Sequence, residues 1–269
     1  MQLGLSTYSF PWNVGVAGHL PQRQMHYSEL IEFAASRDIR HLQFADNMPL
    51  HLMATKDIEE IKTLCEKHNI DIETGTRRLT KENINTYLNI AHYFKSPFLR
   101  IVIDDNDYHP DEEEVIKVIN SVVPWLEEKN IVLAIENHDR FKASVLEKII
   151  LSTSKRYVGI CLDTANSIGA GEGINEILPV LLPYTINLHI KDFMIERISH
   201  KMGFSVYGTA AGKGMLDIPS LIEQCNNAQN CKTATLEIWM NKDVNIESTI
   251  QKEKSWVNES INYLKKYIQ

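Results

Sequence analysis

The stretch IVLAIENH, residues 131–138, places the carboxylate of Glu136 directly after a run of apolar residues. Such a run predicts a buried strand, and a charge buried at its end is costly unless it is paired or bound to an ion. Three later runs finish in the same way, at Asp163 in GICLD, at His189 in NLHIKD and at Glu237 in ATLEI. The repetition on four strands predicts one shared polar site.

Strand-like and helix-like segments alternate along the whole chain, which predicts a parallel sheet with helical crossovers. The predicted strands are residues 2–7, 40–44, 70–74, 98–103, 131–135, 157–162, 185–190 and 233–238. The predicted helices are residues 28–38, 57–69, 80–95, 112–129, 144–154, 174–182, 217–229 and 246–267. Eight such pairs predict an α/β fold of the (β/α)8 TIM barrel type, as a single domain over residues 1–269.

The carboxyl ends of the strands in such a barrel meet at one mouth, so ligands from different strands can bind the same ion. We therefore predict one divalent metal ion held by Glu136, Asp163, His189 and Glu237. One imidazole and three carboxylates form a mixed oxygen and nitrogen set, which favours Mn²⁺, with Mg²⁺, Co²⁺ or Zn²⁺ as alternatives.

Composition excludes several other classes of protein. The net charge of -7 and the pI near 5.8 provide no basic surface for a nucleic acid. No apolar run is long enough to span a membrane and the amino terminus has no secretory character, so we expect a cytoplasmic protein. Reduced thiols are expected at the four cysteines, which are few and unevenly spaced: Cys65, Cys161, Cys225 and Cys231.

Together with the four strand ends, the motifs ENH (136–138), DTAN (163–166), HIKD (189–192) and GKGMLD (212–217) resemble the xylose isomerase-like TIM barrel superfamily. Its members include sugar isomerases, ketose 3-epimerases, hydroxypyruvate isomerases, inosose dehydratases and the endonuclease IV group. The resemblance spans most of the chain and is specific for the superfamily but weak for the substrate. It implies the single-metal set of the epimerase and isomerase branch, a sugar or sugar derivative as substrate, and a homo-oligomer.

Two departures from the family pattern affect the predicted site. Many relatives carry a His three residues after the Asp, but this chain has Asn166 at that position. The trinuclear zinc cluster of the endonuclease branch therefore looks incomplete. The amide can still bind a substrate hydroxyl. Relatives often have an Arg shortly after the seventh-strand His, whereas this chain has Ile195 there and Arg197 just beyond. We predict Arg197 as a cationic substrate contact, with His200 second.

The predicted function is a metal-dependent sugar isomerase or epimerase that acts through an enediolate on a small polyhydroxy carbonyl compound. The resemblance implies that Glu136 and Glu237 exchange the proton as acid and base. A lyase or dehydratase on a keto-sugar or inosose is the alternative, and an endonuclease IV-like nuclease is a remote one. A sugar-binding barrel without activity also stays open, because fold alone does not establish function.

Further contacts follow from spacing along the strands. His138 and Lys191 lie two residues beyond Glu136 and His189, which directs them to the same side as those ligands. We predict that His138 binds a hydroxyl or moves a proton and that Lys191 stabilises an oxyanion. In the first half of the chain, Trp12 and Arg77 are predicted to form part of the pocket wall.

The longest break in the alternation is residues 191–214, between the seventh strand and its helix. Long loops at the mouth of a barrel usually bind or cover a ligand, so we expect a lid or clamp here. The glycines of GTAAGKG, residues 208–214, permit tight turns. They suggest either a backbone nest for phosphate or simply the entry into the next helix.

Overall fold

Eight parallel strands close into a barrel in the computed structural model, which describes residues 1–268. Each strand of the barrel pairs with its neighbours in sequence order, and the last strand closes against the first. The TIM barrel prediction is therefore confirmed, and each of the eight predicted strands is present. The barrel strands are β1 Gln2–Ser6, β2 His41–Phe44, β3 Asp71–Arg77, β4 Phe98–Val102, β5 Val132–Glu136, β6 Val158–Asp163, β7 Thr185–Ile190 and β10 Thr233–Leu236. Two further strands, β8 Phe193–Arg197 and β9 Phe204–Gly208, form a separate sheet.

Helices surround the barrel and bury their apolar faces against it, as their helical spacing of apolar residues predicts. They are α1 Pro11–Val14, α2 Tyr27–Ser36, α3 Thr55–His68, α4 Lys81–Phe94, α5 Glu112–Lys129, α6 Ala143–Leu151, α7 Ile174–Leu181, α8 Ile218–Ala228 and α9 Ile246–Leu264. Side chains of Thr80 and Asp111 cap α4 and α5 by accepting from Asn83 N and Glu114 N. No helix in the described part of the chain combines the length and the apolar character needed to cross a membrane.

An antiparallel hairpin, β8–β9, interrupts the barrel between β7 and α8. It occupies the segment that the sequence predicts as a loop, and its register joins Phe193 to Gly208 and Arg197 to Phe204. The hairpin projects from the mouth of the barrel, and its tip is exposed, with Met202 84% and Phe204 61% accessible. Exposed strands lack a buried face, so their apolar and polar residues do not alternate clearly.

A layer of polar side chains fills the barrel below the mouth. Glu73 from β3 is buried, and its Oε2 accepts a hydrogen bond of 3.3 Å from Gln43 Nε2. Gln43 also donates to Asn187 Oδ1 at 3.4 Å. Burial raises the pKa of Glu73 from 4.5 to about 7, so at neutral pH this carboxyl is partly protonated.

Glu73 is expected to make stability depend on pH. Its folded-state pKa is higher than its unfolded value, so the folded chain binds the proton more tightly and stability is lost as pH rises from about 4.5 to about 7. The shift corresponds to roughly 3 kcal/mol. Glu73→Gln should therefore raise the Tm at about pH 8, with the gain disappearing near pH 4. Glu59, exposed on α3, gives the matched control Glu59→Gln. An equal gain for Glu73→Gln at both pH values would contradict this account.

All four cysteines are free and buried.

Candidate active site

Four buried side chains converge at the carboxyl ends of neighbouring strands. Glu136 ends β5, Asp163 ends β6, His189 lies in β7, and Glu237 follows β10. Each is at most 1% exposed. The ladder between β6 and β7 pairs Asp163 directly with His189, and Leu236 pairs with Ile190 on the other side, which brings Glu237 to the same level.

His189 stands at the centre of this group. Its Nδ1 lies 3.4 Å from Glu136 Oε2, 3.4 Å from Glu237 Oε1 and 3.9 Å from Asp163 Oδ2. Neither ring nitrogen has a hydrogen-bond partner within residues 1–268. A buried imidazole without a partner is costly, and ligand atoms of Asp163, His189 and Glu237 lie within 4.8 Å of one another. The donor set therefore fits a divalent cation.

Two cations, the partly buried Lys191 and the buried Arg100, balance part of this negative charge. Lys191 Nζ lies 2.8 Å from Asp163 Oδ2 and 2.9 Å from Glu237 Oε2. Arg100, 3% exposed and in the middle of β4, contacts Glu136 through Nε and places Nη1 2.8 Å from Asp46 Oδ1. Sequence reasoning missed Arg100, although a charged residue inside the apolar run FLRIV was a usable signal.

These ion pairs keep the site ionised. Burial alone would raise the pKa of Glu136 and Glu237, but nearby cations outweigh it and lower both pKa values to about 2. Arg100 lowers the pKa of Glu136 most, and at Glu237 His189 contributes more than Lys191. Burial would lower the pKa of Lys191, but Asp163 and Glu237 raise it well above its usual value. The carboxylates are therefore available as anionic ligands at neutral pH.

A cavity of about 320 Å³ opens above this cluster. Six of the predicted site residues line it: Trp12, Arg77, Glu136, His138, Asn166 and Lys191. Aromatic and apolar groups form one wall, with Tyr8, Trp239 and Met240 beside Trp12. The indole Nε1 of Trp12 donates to Met240 O at 3.0 Å, which fixes the ring at the wall.

Arg197 and His200 lie outside this cavity. The Arg197 guanidinium stacks on Phe204, 4.4 Å from the ring centroid, and donates to Lys201 O at 3.0 Å. His200 is exposed at the tip of the hairpin. The structure does not bring either residue to the other predicted contacts, and a role for them in binding substrate stays a prediction.

Asn166 contacts the carboxylates of Glu136 and Asp163, and Asn137 contacts the backbone of Asp163. Asn166 Nδ2 donates to Glu136 Oε1 at 2.8 Å, and its backbone N–H donates to Asp163 Oδ1 at 2.8 Å. Asn137 accepts from Asp163 N at 2.7 Å and donates to Ser167 Oγ at 2.9 Å. Such contacts to the ligands of a metal site fix their orientation.

The glycine-rich loop after the hairpin encloses an anion that belongs to the chain itself. The backbone N–H groups of Gly212 and Gly214 donate to Asp192 Oδ2 at 2.8 and 2.9 Å, and Leu216 N donates to Oδ1 at 3.2 Å. A Cβ on Gly214 would lie 2.1 Å from Asp192 Oδ1. The interpretation of this loop as a phosphate nest is therefore wrong, because the carboxylate of Asp192 already takes its donors.

The fold and this strand-end set agree with a match to a known family. The sequence profile of the family described as xylose isomerase-like TIM barrel matches residues 31–267. The chain belongs to this family.

Individual relatives have different activities. The chain is 26% identical over 264 residues to 3-oxo-isoapionate decarboxylase of Pectobacterium atrosepticum, covering 98% of this chain and 95% of that one. It superposes on D-psicose 3-epimerase of Clostridium cellulolyticum H10 with a TM-score of 0.73 and 14% identity, covering 98% and 97% of the two chains. A xylose isomerase-like TIM barrel protein of Mycobacterium smegmatis in complex with magnesium gives 0.67 and 14%, covering 98% and 97%. The superpositions on the two solved structures show a shared fold, and at 14% identity they show no more than that.

Proposed function

We propose that the protein is a metal-dependent enzyme that forms an enolate from a small polyhydroxy carbonyl compound. The observation that carries the proposal is the unpartnered imidazole of His189 among three buried carboxylates next to a cavity. Glu136, Asp163, His189 and Glu237 would hold one divalent ion, and we favour Mn²⁺ for this oxygen-rich set. When bound, the ion would stabilise negative charge on the carbonyl oxygen of the substrate.

The chain's own side chains complete the site. Lys191 presents an ammonium group at the cavity, where it would donate to an oxyanion. His138, 29% exposed at the cavity wall, is the group we assign to return a proton, since imidazole is the side chain that most often transfers protons in enzymes. Trp12 and Trp239 would pack on the sugar and exclude water.

Between the reactions that share an enolate, the ion pairs favour a lyase. Epimerisation with two bases needs Glu136 and Glu237 to take and return protons, yet Arg100 and Asn166 hold Glu136. Lys191 holds Glu237, which also accepts from Ser6 Oγ at 2.9 Å. Loss of carbon dioxide from a 3-oxo acid breaks the bond to the carboxylate carbon, leaves its electron pair in the enolate and needs only one proton donor afterwards. The decarboxylase relative supports this choice over nearly the whole chain.

An isomerase or epimerase is the second candidate. It is supported by the position of Glu136 and Glu237, which both lie 3.4 Å from His189 Nδ1 beneath one cavity. If the ion pairs with Arg100 and Lys191 rearrange, both carboxylates would reach the same carbon atom of the substrate.

The test is nuclear magnetic resonance of the Mn²⁺-reloaded enzyme in heavy water with 3-oxo sugar acids, ketoses and inososes. The lyase proposal predicts release of carbon dioxide and one deuteron on the carbon that lost the carboxylate. Deuterium next to the carbonyl of a ketose without carbon dioxide would select the isomerase or epimerase instead. His138→Gln should slow deuteration of the product, while His109→Gln, on an exposed histidine outside the cavity, should not. No reaction and no exchange with any of these compounds would overturn the enolate proposal.

A further inference from the structure

Arg77 differs from the other cations at the cavity in its pairing. Lys191 and Arg100 both lie within 3 Å of carboxylate oxygens. Arg77 Nε is 3.4 Å from Asp46 Oδ2, and this buried nitrogen has no hydrogen-bond partner in the described part of the chain. The Arg77 side chain is 34% exposed and lines the cavity. It therefore offers a guanidinium whose hydrogen-bonding capacity is not used within the protein.

Asp46 is already committed to other donors. Tyr8 donates its hydroxyl to Asp46 Oδ2 at 2.9 Å, and Arg100 approaches Oδ1 at 2.8 Å. Burial would raise the pKa of Asp46, but Arg100 and Arg77 lower it, so the carboxylate stays charged beside the Arg77 guanidinium. The Arg77 side chain therefore lines the cavity beside a carboxylate that its other partners already hold.

The summed charge of the metal-loaded site favours the binding of an anion. Four carboxylates, those of Asp46, Glu136, Asp163 and Glu237, face three cations, those of Arg77, Arg100 and Lys191. With His189 counted as a neutral imidazole, as a metal ligand must be, this leaves a net charge of about -1 for the metal-free site, and a divalent ion would change it to about +1. A singly charged anion would restore neutrality, and a guanidinium matches the two oxygens of a carboxylate.

We propose that Arg77 forms a subsite for a carboxylate of the substrate, so that the substrate class is a small polyhydroxy acid rather than a neutral sugar. Calling the bound acid a substrate rests on the proposed function, but the subsite itself is tested by binding alone. The Arg77 side chain orients the acid across the cavity from Lys191, with the aromatic wall at Trp12 and Trp239 against its carbon chain. If the reaction is a decarboxylation, the neighbouring charge of Asp46 limits how strongly Arg77 stabilises the carboxylate that must leave.

The experiment is calorimetric titration of the Mn²⁺-loaded protein with L-threonate, with the neutral analogue threitol and with glycerol 3-phosphate. The wild type is expected to bind threonate at least about tenfold more tightly than threitol, and Arg77→Met should remove most of that difference without changing threitol binding. Arg77→Lys should retain part of it, because the charge stays while the two-pronged geometry is lost. Arg156→Met provides the control, since Arg156 is exposed just before β6, at the opposite end of the barrel.

Three results would overturn the subsite. They are threonate binding no tighter than threitol in the wild type, threonate binding that Arg77→Met leaves unchanged, and threonate binding that Arg197→Met removes while Arg77→Met does not. Arg77-dependent binding of glycerol 3-phosphate that exceeds threonate binding would replace the carboxylate by a phosphate and reject the sugar acid. Because no turnover is measured, threonate binding can succeed even if the enolate chemistry fails.

Discussion

Replacing His189 with alanine is expected to lower kcat/KM by on the order of 10²–10³ or more and to remove specific metal binding. The imidazole is the only nitrogen donor among the four proposed ligands, and its Nδ1 lies within 3.9 Å of all three carboxylates. Glu237→Gln should have a similar effect on turnover with less change in shape. The measurement is steady-state kinetics on the substrate that the heavy-water experiment identifies, combined with metal analysis of each protein after dialysis.

Folding must be separated from catalysis in these variants. Circular dichroism and thermal unfolding of the metal-free proteins should show a folded barrel, because the cluster lies at the end of the strands and outside the apolar core. His92→Ala, at an exposed histidine on α4, is the matched control and should keep full activity. A folded His189→Ala enzyme with normal turnover and metal content would remove His189 from the site.

Arg100→Met is expected to be the most destabilising single change at the site. It leaves the buried carboxylate of Glu136 and the partly buried carboxylate of Asp46 without their shared cation, and breaking a buried ion pair from one side costs roughly 3–5 kcal/mol. The loss should be larger in chelator than with Mn²⁺, because a bound cation would also compensate Glu136. Urea unfolding at neutral pH, with and without the metal, measures both effects.

A double variant identifies the cause. Adding Glu136→Gln to Arg100→Met removes the buried charge that lost its cation and should recover part of the lost stability. Arg78→Met removes an exposed ion pair with Asp107 and should cost less than about 1 kcal/mol. An Arg100→Met protein as stable as the wild type, or a double variant no more stable than Arg100→Met, would show that this pair does not hold the site together.

The barrel could be predicted because each strand and helix carries its own local pattern. Buried parallel strands appear as apolar runs, and the ligands stand at their ends, so the positions of Glu136, Asp163, His189 and Glu237 at one mouth follow from the fold. The hairpin β8–β9 and the single turn of α1 were missed because short elements at a surface have little buried face to produce a pattern.

The pairing of charges within the site could not be predicted from the sequence. That Arg100 meets both Asp46 and Glu136 depends on the register and curvature of strands β2 to β5, which no local motif specifies. Asp192 likewise fills the glycine loop only because residues 212–216 fold back onto it. The sequence places Arg197 shortly after the seventh strand, but no local motif specifies the hairpin register that stacks it on Phe204.

The most direct test of the central claim is calorimetric titration of the chelator-stripped wild-type protein with Mn²⁺, followed by the same titration of His189→Ala and Glu237→Gln. The strand-end set predicts one ion bound per chain in the wild type and strongly weakened binding in both variants. Absence of a stoichiometric site in the wild type, or equal binding in all three proteins, would contradict the assignment of these residues as a metal centre.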